Sequence, residues 1–141
     1  MPTSMKLLKV SKFCLEQWKE LCETNREILK EESAQTGEKF RTSSGSYLEE
    51  CFDEWRHSHA SFLDLLHEIE RTYRKYYCDD FYIQKGYKDT TINMSQTLID
   101  KINELRKTCN KNRYHTITIT NSLIFSSVVS YMQKEVYGSL L

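Results

Sequence analysis

Residues Leu48 to Tyr76 read LEECFDEWRHSHASFLDLLHEIERTYRKY, and their large side chains fall in a regular ladder. Leu48, Phe52, Trp55, His59, Phe62, Leu66, Ile69, Tyr73 and Tyr76 are separated alternately by four residues and three. A helix turns once in about 3.6 residues, so this spacing places all of them on one side. Most are aliphatic or aromatic, and such a stripe has to be hidden from water against other helices or a partner. Ser46, with Glu49 three residues on, has the pattern of a capping box. The spacing therefore predicts one helix over residues 46–80.

The same reading extends in both directions. Upstream, Cys14, Trp18, Leu21, Asn25 and Ile28 repeat the ladder behind Ser11, a candidate N-cap, and predict a helix over about 11–32. Residues 33–46 are small and polar, hold two glycines, and read as a linker. Downstream, Leu98, Ile102, Leu105 and Cys109 predict a third helix over about 90–112, with Met94 and Ile99 beside the stripe. From Thr116 to Gln133 the chain carries no charge. Thr116 to Thr120 alternates as a strand does, whereas Leu123 to Val136 has helical character. Ser122, Ser126 and Ser130 form a track of small residues that lets neighbouring backbones approach closely. Eighteen uncharged residues rich in serine and threonine suit a buried fourth helix in segment 116–136 better than a bilayer span.

Composition agrees with a helical reading. One proline and four glycines in 141 residues supply too few tight turns for a sandwich or barrel. The expected fold is all-α: a single domain over 1–141 of three to four long amphipathic helices, packed as a bundle or in coiled-coil manner. Charge is balanced at 20 basic and 20 acidic residues, which argues against a general nucleic-acid binder. No continuous apolar stretch of secretory type opens the chain. The odd cysteine set Cys14, Cys22, Cys51, Cys78 and Cys109 has no paired spacing, so reduced thiols in a cytoplasmic setting are expected.

Few residues point to chemistry. His57, His59 and His67 share a predicted helix, but their offsets of two, eight and ten do not bring ligands to one metal. Cys78 stands beside Asp79 and Asp80, a field that opposes thiolate formation. Glycine is too scarce for a phosphate-cradling loop. No catalytic residue, metal or cofactor is expected, and no enzyme. The basic, aromatic run RTYRKYY at Arg71–Tyr77 offers rings for base stacking, yet the same tyrosines are needed for packing, so no nucleic acid is expected.

The stretch LIDKINELRKTCNKNRYHTITITNSLIFSSVVSYM, Leu98 to Met132, resembles the apolipoprotein L family. The matching residues are Leu98, Ile102, Leu105 and Lys111, then Thr116, Thr118, Ile119 and Ser122, over about a quarter of the chain. The glycines that the family places in its apolar segment are missing. The resemblance implies a cytosolic or membrane-associated helical protein acting on lipid or on partner proteins in immune or death pathways. On that reading Lys107, Lys111 and Arg113 would meet anionic headgroups while Ile124 and Phe125 enter lipid. The reading from the ladders alone is a non-enzymatic protein working by protein–protein contact or self-association. Its core or interface anchors would be Trp18, Phe52, Trp55 and Phe62.

Overall fold

The computed structural model describes residues 3–37, 44–112 and 117–137. The chain is mostly helical, but it is not all-α. Six α-helices among the described residues accompany a two-stranded antiparallel sheet. The order is β1 (Ser4–Ser11), α1 (Lys12–Thr36), α2 (Ser44–His57), α3 (Phe62–Tyr73), a π-helical turn (Arg74–Cys78), α4 (Asp80–Lys85), β2 (Tyr87–Asn93), α5 (Gln96–Lys111) and α6 (Asn121–Tyr137).

The organising element is α6. Every residue from Ser122 to Ser130 is buried, and the helix packs against α1, α2, α3, α5 and β1. A helical segment without charge belongs in the middle of a fold, and α6 carries none before Lys134. Its serines need partners, and most find them locally. Ser126 and Ser127 donate to the carbonyls of Ser122 and Leu123, at 2.8 and 2.9 Å, and Ser122 donates to the Leu8 carbonyl at 2.7 Å. Ser130 accepts from the Lys75 ammonium at 3.2 Å. Thr120 begins the helix, its Oγ1 accepting from the Leu123 N–H at 3.1 Å. Just before it Ile119 is buried between exposed Thr118 and Thr120. Thr116 lies outside the described residues; from Thr118 the alternation read from the sequence holds, but among the described residues these pair with no strand. Asn110 of α5 holds Ile119 instead, through both the N–H and the carbonyl at 2.9 and 2.8 Å.

The single helix expected over 46–80 is broken after His57. Ser58 Oγ and His59 Nδ1 both reach the Trp55 carbonyl, at 2.7 and 2.8 Å, and so take the place of the next helical N–H groups. Ser61 then caps α3, accepting from the Asp64 N–H at 3.1 Å. The chain folds back, and both halves of the ladder reach the same core: Leu48, Phe52, Trp55, Leu66, Ile69 and Tyr76 are all buried. Compact packing around α6 replaces the coiled-coil alternative. The chain expected to run helically to residue 80 passes through the π-helical turn and an extended Asp79 before α4.

Other boundaries move for local reasons. Residues 4–11 alternate exposed and buried side chains and pair with β2, so residues 90–93 are strand, and the third helix starts only after Ser95. The Ser95 hydroxyl accepts from the Leu98 N–H at 3.1 Å. α1 runs on to Thr36, where Gly37 in the left-handed region ends it. Ser11 stands at its N-cap, but its buried hydroxyl makes no capping bond. α2 starts at Ser44, not Ser46, and Glu49 turns away to accept from Ser95 Oγ at 2.6 Å and pair with Lys101 at 3.4 Å. The expected linker 33–46 is thus helical at both ends, and residues 38–43 lie outside the described set.

Candidate functional site

Strand β1 contains a fault in its register. Leu7 pairs with Thr90 and Val10 with Lys88, so Leu8 and Lys9 together stand opposite Asp89 alone. This is a β-bulge, the device by which strands re-aim side chains. Lys9 takes a φ of 55°, the left-handed region that costs a residue with a Cβ about 1–2 kcal/mol. Several contacts hold it there. Its N–H donates to Asp89 Oδ1 at 2.9 Å, and its carbonyl accepts from the Tyr77 hydroxyl at 2.8 Å. Its ammonium lies 5.2 Å from the centre of the Tyr87 ring. One residue earlier, Ser122 of the central helix fixes the Leu8 carbonyl.

Leu8 keeps the outward phase of Ser4 and Lys6, and the extra residue, Lys9, returns Val10 to the core. Leu7 and Val10 are buried, while Leu8 between them is 57% exposed. It forms one wall of a groove of about 330 Å3 whose other walls are Lys9, Tyr73, Tyr77, Thr118, Thr120 and Leu123. The tyrosines come from α3 and the π-helical turn. Tyr76 points inward, fully buried, with its hydroxyl on Gln17 Oε1 at 3.1 Å. Tyr73 and Tyr77 stay at the rim, stacked with centroids 5.5 Å apart. Tyr77 stacks in turn on Tyr87 at 5.3 Å with parallel planes. Burial pushes the Tyr77 phenol up to about 12, so it remains a donor to Lys9 at any ordinary pH.

A second, larger cleft of about 430 Å3 lies between α2 and α5, floored by Phe52 and Leu105. Lys101, Asp53 and His57 on its wall are engaged within the fold. Lys101 lies 3.0 Å from Asp53 and 3.4 Å from Glu49, tying α5 to α2. His57 places Nδ1 2.6 Å from the Asp53 carbonyl in its own helix. Arg56 and Glu104 also line it, and among the described residues no lining residue has a positive φ.

Lys75 is a further half-buried cation. It donates to Ser130 and lies 5.0 and 5.8 Å from the rings of Tyr76 and Tyr82, and burial lowers its pKa. Packed against those rings and Ser130, it acts as a strut between the π-helical turn and α6. Among the described residues no three His, Cys, Asp or Glu side chains converge as metal ligands. Cys14, Cys22, Cys51 and Cys109 are buried, and that burial raises their thiols to about 12, 11, 12 and 11. Thiols so raised are poor nucleophiles.

The residues singled out from the sequence have different places. Trp18, Phe52 and Trp55 are buried in the core, and Phe62 packs half-buried against it. Trp18 stacks on Tyr47 at 5.7 Å and meets Phe125 edge-on at 5.8 Å. Ile124 and Phe125, expected to enter lipid, are 0% and 1% exposed and face the core. Their place on the central helix leaves them nothing to offer a membrane in this fold. Lys107 and Lys111 are exposed on α5, and Arg113 lies outside the described residues. Among the described residues, no helix is long and apolar enough to cross a membrane.

Leu8 and Lys9 escaped the sequence reading, and Tyr77 was read only as part of the run Arg71–Tyr77. The signal was there: Met5 and Leu7 alternate, and then the adjacent pair Leu7–Leu8 shifts the phase before Val10. No family model, curated protein or solved structure matches the chain.

Proposed function

We propose that this chain is a non-enzymatic interaction protein that holds a partner polypeptide in the groove beside the β1 bulge. The observation that carries this reading is Leu8. A large aliphatic side chain stands 57% exposed beside Lys9, whose costly left-handed backbone is braced by Asp89 and Tyr77, while Ser122 fixes the leucine's own carbonyl. Strain held in place by several neighbours is a feature of functional surfaces. An exposed leucine set among rigid tyrosines and threonine hydroxyls has the make-up of a protein-binding patch, where aromatic anchors supply area at low entropic cost. The elements behind the groove are firm, since α6 and the Tyr73–Tyr77–Tyr87 stack form its back wall.

Panning a displayed-peptide library over the immobilised full chain tests the reading. Enriched sequences are expected to bind the parent chain and to lose at least tenfold in affinity against Leu8→Asp. This substitution is on the surface and is expected to leave the circular dichroism spectrum unchanged. Retention of every enriched sequence by Leu8→Asp would reject the groove.

A further inference from the structure

The lining of the groove has a charge sign as well as a shape. Lys9 is the one ionisable side chain of Lys or acid type on its wall, and among the described residues its ammonium forms no ion pair. The sheet around it is basic. Lys6, Lys9 and Lys88 are exposed on the two strands, and Asp89 is the one acid there, its carboxylate already accepting from the Lys9 N–H. Residues 3–12 contain Lys6, Lys9 and Lys12 and no acid at all. Arg71 of α3 and Arg74 of the π-helical turn are paired with Glu68 and Glu70 at 3.2 and 3.5 Å, so that side of the groove adds little net charge.

From this we infer that the occupant of the groove is a short acidic segment of a partner polypeptide that seats one bulky apolar side chain between Leu8, Tyr73 and Leu123 and sets a carboxylate beside Lys9. The inference rests on the groove being a docking site and adds the chemistry of the partner. Three observations select this occupant. At about 330 Å3 the groove is at the small end of ligand pockets, roughly 300–1,000 Å3, and suits a side chain with its neighbours. Charge complementarity with the basic strand favours an acidic sequence and repels a basic one. Base stacking is disfavoured, because the ring faces are already taken. Tyr77 lies between Tyr73 and Tyr87, and the Lys9 ammonium covers Tyr87.

The test uses the full chain and two more variants, Lys9→Gln and Lys9→Glu, alongside Leu8→Asp. A random nonapeptide library is panned on each, and the recovered sequences are measured by fluorescence anisotropy at low and high salt. The parent chain is expected to enrich peptides with an acid within two positions of a large apolar residue. Lys9→Gln should weaken these about three- to tenfold, and Lys9→Glu should reverse the preference toward lysine and arginine. If Leu8→Asp abolishes binding while the enriched peptides show no acidic preference, or Lys9→Glu leaves it unchanged, this inference fails and the groove as a docking site stands. If Leu8→Asp changes nothing, both fail. Oligothymidylate and phosphatidylserine vesicles serve as competing probes. Displacement of the peptide by either, lost in Lys9→Glu, would assign the groove to that polyanion and overturn the inference.

Discussion

The Tyr77 hydroxyl donates to the Lys9 carbonyl at 2.8 Å, tying the end of the π-helical turn to the one non-glycine residue with positive φ among the described residues. The contact spans the boundary between helix and sheet and braces the residue that follows Leu8. A left-handed lysine costs about 1–2 kcal/mol relative to an extended one, and glycine avoids that cost but has a freer unfolded chain. The two effects oppose each other for Lys9→Gly, so its stability should stay within about 1 kcal/mol of the parent. Lys9→Val adds a β-branched side chain to the same φ and should cost about 1–3 kcal/mol. Urea denaturation of the two variants measures this directly. Equal stability of the glycine and valine variants would mean that Lys9 is not held in the left-handed region.

Alkaline pH should unfold the protein by a route visible in its interior. Burial raises the thiols of Cys14 and Cys51 from 9.0 to about 12 and the Tyr77 phenol from 10.0 to about 12. The native state therefore keeps protons that the unfolded chain gives up. The resulting stability is fully present below about pH 9, and it is lost as pH rises from there through 12. Denaturation midpoints should be flat between pH 7 and 8.5 and fall steadily above 9. In Tyr77→Phe the part of the decline that begins near pH 10 should be shallower. A midpoint that holds to pH 11 would contradict the burial of these groups.

The same thiols make a count. Four of the five cysteines are buried, and Cys78 is exposed in the π-helical turn. The thiolate is the reacting species, and burial both hides it and disfavours its formation. At pH 8, N-ethylmaleimide should therefore add one equivalent to the native chain quickly, at Cys78, and four more only in denaturant. Mass spectrometry with peptide mapping reads both numbers. Rapid native labelling of Cys14 or Cys109 would show that the core around α6 is open.

How much of this was legible depends on which force acted. Helical periodicity reports burial, and it found the core: Cys14, Trp18, Leu48, Phe52, Trp55, Leu98, Ile102 and Leu105 were all read from spacing and are all buried. The break at His57 was not found, because the ladder keeps its phase across it. His59 sits on a core position of the pattern, and only hydrogen bonds from Ser58 and His59 to the Trp55 carbonyl end the helix. A capping signature, Ser61 with Asp64, lay inside the ladder and was outweighed by it. The sheet was missed for a different reason. Its strands are short and distant in sequence, and each alternates over too few residues to outweigh the helical patterns beside it. The groove inherited that omission, since it exists only where the bulge of β1 meets α3, the π-helical turn and α6.

The track Ser122, Ser126 and Ser130 gives a final test, because its role changes with what packs on it. The serines lie along the face of α6 toward β1, α1 and the π-helical turn, in contact with Leu8, Cys14 and Lys75 respectively. Ser126 is 0% exposed, and its hydroxyl is satisfied within α6 by the Ser122 carbonyl, so no partner outside the helix depends on it as a donor to the backbone. Removing the hydroxyl therefore leaves no stranded backbone group, and Ser126→Ala should change stability by less than about 1 kcal/mol. Ser126→Leu has nowhere to go. Native interiors are packed to crystal density, so the added methylenes must push α1 away from α6, at about 1–3 kcal/mol or more. Thermal unfolding of the pair separates the two effects, with the leucine variant melting well below the alanine one. Should Ser126→Leu melt with or above the parent, the close approach of α1 to the central helix would be wrong, and with it the positions of Cys14 and of the strand that carries Leu8.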